Sequence, residues 1–137
     1  MTFESPPVAG RRGAVELSVP AVSERLSTVG AVATDLAMRE DMTLDDVADL
    51  RLAVGEACAA LISVAERSAS LHCVFRATGE YVEMLARVRG RDAVPGHDNG
   101  FQRHVLRVLT DRVEWTAEPS GDPLTGPLVG IRLRKNV

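Results

Sequence analysis

In the stretch "DLRLAVGEACAALI", Asp49 to Ile62, a single carboxylate, Glu56, stands inside a long apolar run. A carboxylate so placed could orient a hydroxyl or accept its proton as a general base. It could equally be a solvated charge at the rim of a packed helix, because charged side chains are mostly exposed. The other reactive residue types are scattered. His72, His97 and His104 have no ligand spacing with Cys58 or Cys73, and a zinc site needs about four converging ligands. No metal site is therefore expected. Ser63, Ser68 and Ser70 have no identifiable base partner, which argues against a nucleophilic triad. "RGR" at 89–91 could hold a phosphate or a protein carboxylate, or be a solvated pair of loop charges. Asp98 and Asn99 read as turn and N-cap residues, and Trp115 as core or edge packing.

The elements that would position these residues follow from hydrophobic period. "AVELSVP" sets Val15, Leu17 and Val19 against Glu16 and Ser18, a period of two, and so a half-buried strand ended by Pro20. A helix is expected from about Ala21 to Met38, with Val22, Leu26, Val29, Val32, Ala33 and Leu36 on one face. Gly30 weakens it by up to about 1 kcal/mol relative to alanine. Thr43 is a suitable N-cap for the next helix, and Asp45 and Asp46 suit the positive end of its dipole. Val47, Leu50, Val54, Ala57, Leu61 and Val64 recur at helical spacing to about Glu66. On that wheel Glu56 stands at the rim of the buried face, with Ala60 on the same flank one turn later.

"ASLHCVFRAT" and "EYVEMLARVRG" meet at Thr78-Gly79 as an antiparallel hairpin. "RGRDAVPGHDNG" is a loop. "FQRHVLRVLTD" is a short helix with Phe101, Val105, Leu106, Val108 and Leu109 as its apolar side. "RVEWTAE" and "GPLVGIRLRK" are strands around the turn-rich "PSGDPLT". The order β-α-α-β-β-α-β-β implies an α+β two-layer sandwich, a mainly antiparallel sheet with helices on one face.

The chain has 137 residues, enough for one domain spanning 14–137, behind a flexible N-terminal arm at 1–13 that is rich in Pro, Gly and Arg. Its net charge of −3 disfavours direct binding of nucleic acid, which calls for a clustered basic surface. Cys58 and Cys73 lack CxxC spacing and read as buried, reduced residues of a cytoplasmic protein. No apolar run approaches the roughly 18 residues of a membrane span.

Leu52-Ala53-Val54, Glu56-Ala57-Cys58 and Ala60 resemble the "LAVxEACxNA" helix of the anti-sigma-factor serine kinases, a branch of the GHKL (Bergerat-fold) ATPases. "NGFQRHVLRVLTDRVEW" is similar to the family segment in which a glycine-rich phosphate loop opens a helix ending "DxVE". The resemblance covers about residues 14 to 134. It implies a Bergerat fold, a homodimer, a sigma factor as cargo and an anti-anti-sigma factor as antagonist.

The departures matter as much. The family places an asparagine four residues after the glutamate, where its amide oxygen helps hold Mg²⁺; here that residue is Ala60. The family's "DxGxG" aspartate recognises adenine, whereas "VRGRDAVPG" offers Arg89 and Arg91 near that place, with Asp92 too far into the loop. Of the second glycine motif only Gly100 survives clearly. Ala60 and Gly100 are thus degenerate cofactor-binding positions, and Glu56 is catalytic only if the chain is a kinase. The leading expectation is an anti-sigma factor that sequesters a sigma factor of RNA polymerase, with no cofactor required. The alternative is an active ATP/Mg-dependent kinase that phosphorylates an anti-anti-sigma factor. A third is a GHKL-like domain with an unrelated partner.

Overall fold

The computed structural model describes residues 14–91 and 100–137. The expected arm at 1–13 and the loop residues Asp92, His97, Asp98 and Asn99 lie outside the described residues. The elements run β1 (Ala14–Pro20), α1 (Leu26–Arg39), α2 (Leu44–Val64), β2 (Ser70–Ala77), β3 (Tyr81–Arg89), α3 (Gly100–Leu109), β4 (Arg112–Glu118) and β5 (Leu128–Asn136). The sheet order is β1-β2-β3-β5-β4, and every neighbouring pair is antiparallel. The architecture is the expected α+β sandwich, with three helices over one face of the sheet.

The register explains the core. Val19 faces Leu71, Leu17 faces Cys73 and Val15 faces Phe75 across β1–β2. Phe75 then faces Met84, and Met84 faces Leu133. The period of two puts all of these on the face beneath the helices. Leu71, Cys73, Phe75, Val82, Met84, Ala86, Ile131 and Leu133 are essentially sealed from solvent there. In the tight β2–β3 turn, Gly79 takes φ +84, a conformation that glycine adopts without strain. The Gly79 amide donates to the Glu40 carboxylate, tying this turn to the α1–α2 connection.

The second helix begins as its sequence dictates. Thr43 Oγ1 accepts from the Asp46 amide at 3.1 Å, and Asp45 and Asp46 fill the first turn. Thr43→Ala is expected to cost about 1 kcal/mol. It would appear as a lower urea midpoint at unchanged slope; an unaltered midpoint would show that this cap contributes nothing. Val47, Leu50, Val54, Ala57 and Leu61 are buried as expected, and Ala53 and Cys58 join them.

Two expectations need correction. The chain after β1 makes a 3-10 turn at Ser23–Arg25 before α1 starts, and Val22, extended ahead of that turn, is 40% exposed. The rest of the expected face holds, with Val29 and Ala33 buried and Leu26, Val32 and Leu36 packed against the core, and Gly30 and Ala37 are buried with them. These small residues admit the Arg51 side chain of α2, which lies 3.7 Å from where a Gly30 Cβ would sit and donates to Thr34 Oγ1 at 3.0 Å. On α3, Leu106 is buried but Phe101 and Val108 are 77% and 67% exposed. They lie on the opposite half of the helical wheel from Leu106.

Candidate functional site

Glu56 projects from the exposed rim of α2, and Ala60, one turn later, is half-buried against the core. The burial of Ala53, Val54, Ala57, Cys58 and Leu61 turns that flank toward α3. Gln102 of α3 donates to the Glu56 carbonyl at 3.3 Å, so α3 docks directly beside the glutamate. Gly100 opens α3 in free space, with nothing within 4 Å of where its Cβ would lie. Arg103 lies over the Trp115 ring at 4.9 Å, fixing α3 onto β4. The structure thus sets α3 beside Glu56, with Ala60 one turn further along α2.

Beyond Ala60, Arg91 binds the C-terminal end of α2 and Arg89 the loop that enters β5. Arg91 donates to the Ser63 carbonyl at 2.7 Å, and its amide donates to the Val64 carbonyl at 2.9 Å. Arg89 donates to the Gly126 carbonyl at 3.0 Å. The Gly90 amide donates to Pro127 at 2.8 Å, and a β-bridge joins Ala65 to Gly90. Each of the two guanidiniums thus donates to a backbone carbonyl, while Arg91 remains exposed. Both guanidiniums stitch the end of β3 to the C-terminus of α2 and to the strand entering β5. The sequence shows the arginines but not the carbonyls they reach. Ser63 Oγ donates to the Ala60 carbonyl at 2.6 Å, which anchors its hydroxyl within its own helix.

Other candidate groups are elsewhere. His72 lies on the outer sheet face, 3.4 Å from Glu16, and His104 is exposed on α3. Cys58 and Cys73 are fully buried against each other, from α2 and β2. The hydrogen bond with Cys73, followed by burial, pushes the Cys58 thiol far above the usual thiol range. A thiol held protonated in this way is not a nucleophile. Among the described residues no group of three His, Cys, Asp or Glu is placed to hold a metal. Clefts of about 390 Å³ and about 270 Å³ flank the β4–β5 loop and are lined by residues such as Arg91, Ser120, Asp122 and Thr125. Neither includes Glu56, Ala60 or Gly100.

A magnesium nucleotide can be tested against this donor set. Residue 60 offers only a methyl group, which cannot coordinate a hard cation that demands oxygen ligands. Near the expected base position the described residues offer two arginines, Arg89 and Arg91, in place of a carboxylate, and each donates to a backbone carbonyl. Gly126 fits so closely that a Cβ there would lie 1.9 Å from the Gly90 carbonyl oxygen. The described residues do not fit the group.

Residues 19–126 match the family model described as a histidine kinase-like ATPase domain. The chain is also similar to the anti-sigma-F factor RsbW of two Mycobacterium tuberculosis strains, CDC 1551 / Oshkosh and H37Rv. In each case it is 38% identical over 133 residues, which cover 93% of this chain and 77% of the relative.

Proposed function

The chain belongs to the histidine kinase-like ATPase domain family, and from that premise we propose that it is an anti-sigma factor, holding a sigma factor of RNA polymerase by direct protein contact. The observation that carries this reading is the likeness to the anti-sigma-F factor, which runs through nearly the whole chain. Sequestration needs a preformed complementary surface and no phosphoryl transfer. A degenerate nucleotide site is therefore no obstacle, and no cofactor is required. Catalysis of phosphoryl transfer, by contrast, rests on positioning and on a metal that neutralises charge, and the methyl group of Ala60 supplies neither. By the same family logic the protein is a homodimer, works in the cytoplasm, and is displaced from its cargo by an anti-anti-sigma factor. No helix among the described residues is long and apolar enough to cross a membrane.

The test is co-expression of the full chain with a panel of stress-response sigma factors, followed by size-exclusion chromatography without nucleotide. One stable complex is expected. If no sigma factor co-elutes with or without Mg-ATP, the reading is wrong. Phosphate transfer to an anti-anti-sigma factor, abolished by Glu56→Ala, would instead establish the kinase.

A further inference from the structure

The helices cover one face of the sheet, and the opposite face is open. Its composition can be read across the strands from the register. One row runs Arg112, Arg134, Glu83, Arg76. The next runs Glu114, Arg132, Leu85, Val74, Glu16. A third runs Thr116, Gly130, Arg87, His72, Ser18.

The first row is electrostatically unbalanced. Arg112 and Arg134 are direct cross-strand partners, a like-charge arrangement that destabilises a sheet. Glu83 is the sole carboxylate in the row, and Arg134 takes it at 2.9 Å while lying 3.9 Å over the Tyr81 ring. Arg112, 60% exposed, turns along its own strand to Glu114 at 3.1 Å. Arg76 and Arg132 have no ion pair with any described residue. Beneath the arginines, Val74 is 9% exposed and Leu85 is half-buried.

This cationic face belongs to a chain of net charge −3. The acidic residues gather on the helical side, with Asp35, Glu40, Asp41, Asp45, Asp46, Asp49 and Glu56 on or between α1 and α2. The open face itself carries five arginines, Arg76, Arg87, Arg112, Arg132 and Arg134, against three carboxylates, Glu16, Glu83 and Glu114, and no other element of the described chain covers it.

We propose that the open sheet face is a docking surface for a protein partner whose contacting surface is rich in aspartate and glutamate, seated on the Arg112–Arg134–Arg76 row. Carboxylates from such a partner would supply the counter-charge that the row lacks, and the planar fork of arginine is suited to accept them two oxygens at a time. Five strands give a plane about 19 Å wide and about 23 Å long, room for a helix or hairpin of the partner. The interleaved Glu16, Glu83 and Glu114 favour a protein, whose carboxylates can be spaced between them, over a uniformly charged polyphosphate. The inference stands apart from the sigma-factor reading, because it rests on the register and charge of the outer face alone.

The experiment uses fluorescence anisotropy of a labelled peptide of about 20 residues with glutamate at every third position and alanine or glutamine between, with an oligothymidylate of equal length as the second probe. The full chain is compared with its Arg76→Glu/Arg112→Glu variant. The expected result is that the peptide binds the wild type better than the oligonucleotide does, and that the double variant binds it roughly tenfold or more weakly. Arg112→Glu alone should melt near the wild-type temperature, since it trades the like-charged pair with Arg134 for an opposite one and the ion pair with Glu114 for a like-charged one. Loss of peptide binding without loss of fold would then locate the surface. Peptide affinity unchanged by the double substitution, no peptide binding at all, or tighter binding of the oligonucleotide through the same arginines would overturn the proposal.

Discussion

Phe75→Ala is expected to remove about 3–5 kcal/mol of stability, among the largest losses any single core truncation here should give. Phe75 is the largest fully buried side chain and sits on β2 between Val15 of β1 and Met84 of β3. Truncation forfeits its transfer free energy and leaves a cavity that close-packed neighbours fill only in part. Domains of this size have about 5–15 kcal/mol in total, so the variant should melt roughly 10–20 °C lower. Phe75→Leu keeps most of the volume and should cost under about 1.5 kcal/mol. Equal losses for the two variants would mean that packing volume is not what Phe75 contributes.

Gly126→Ala is the second large effect, and its cause is different. The added Cβ would lie 1.9 Å from the Gly90 carbonyl oxygen and 2.8 Å from its carbon, and those are backbone atoms that cannot rotate away. Either the loop entering β5 or the end of β3 must move. The movement endangers the Gly90–Pro127 bond at 2.8 Å and the Arg89–Gly126 bond at 3.0 Å. Overpacking costs about 1–3 kcal/mol, and each lost hydrogen bond about 1 kcal/mol. The expected total is about 2–4 kcal/mol. Hydrogen exchange separates the two variants. Phe75→Ala should speed exchange across the whole sheet, whereas Gly126→Ala should act first on the Gly90 amide. A loss below about 0.5 kcal/mol for Gly126→Ala would contradict this packing.

Much of this was legible in the sequence where one residue's surroundings depend on near neighbours. The period of two in "AVELSVP", the Thr43 cap and the helical spacing from Val47 to Leu61 all appear as expected in β1 and α2. Glu56 stands at the rim of its helix, because its place on the wheel follows from the residues that are buried around it. What was not legible depends on long-range pairing. The insertion of β5 between β3 and β4 is decided by which strand finds which, and local pattern is silent on that. Phe101 and Val108 read as core because they are apolar on a short helix, yet α3 turns only its Leu106 side inward. The role of Arg91 stayed open between an anion contact and a solvated loop charge, because its hydrogen-bond acceptor, the Ser63 carbonyl, lies 28 positions earlier in the chain. Gly126 gave no signal, since its need for a bare Cα comes from the Gly90 carbonyl across the fold.

If the chain works by holding a protein, with no metal-nucleotide seated against residue 60, nucleotide should leave its grip on that protein unchanged. The most direct measurement is the affinity of the co-eluting sigma factor, titrated calorimetrically with and without Mg-ATP, for the wild type and for Glu56→Ala. The dissociation constants should agree within about twofold across all four conditions, since a ligand with no differential binding shifts nothing. A complex tightened roughly tenfold or more by Mg-ATP, with the gain erased in Glu56→Ala, would contradict it.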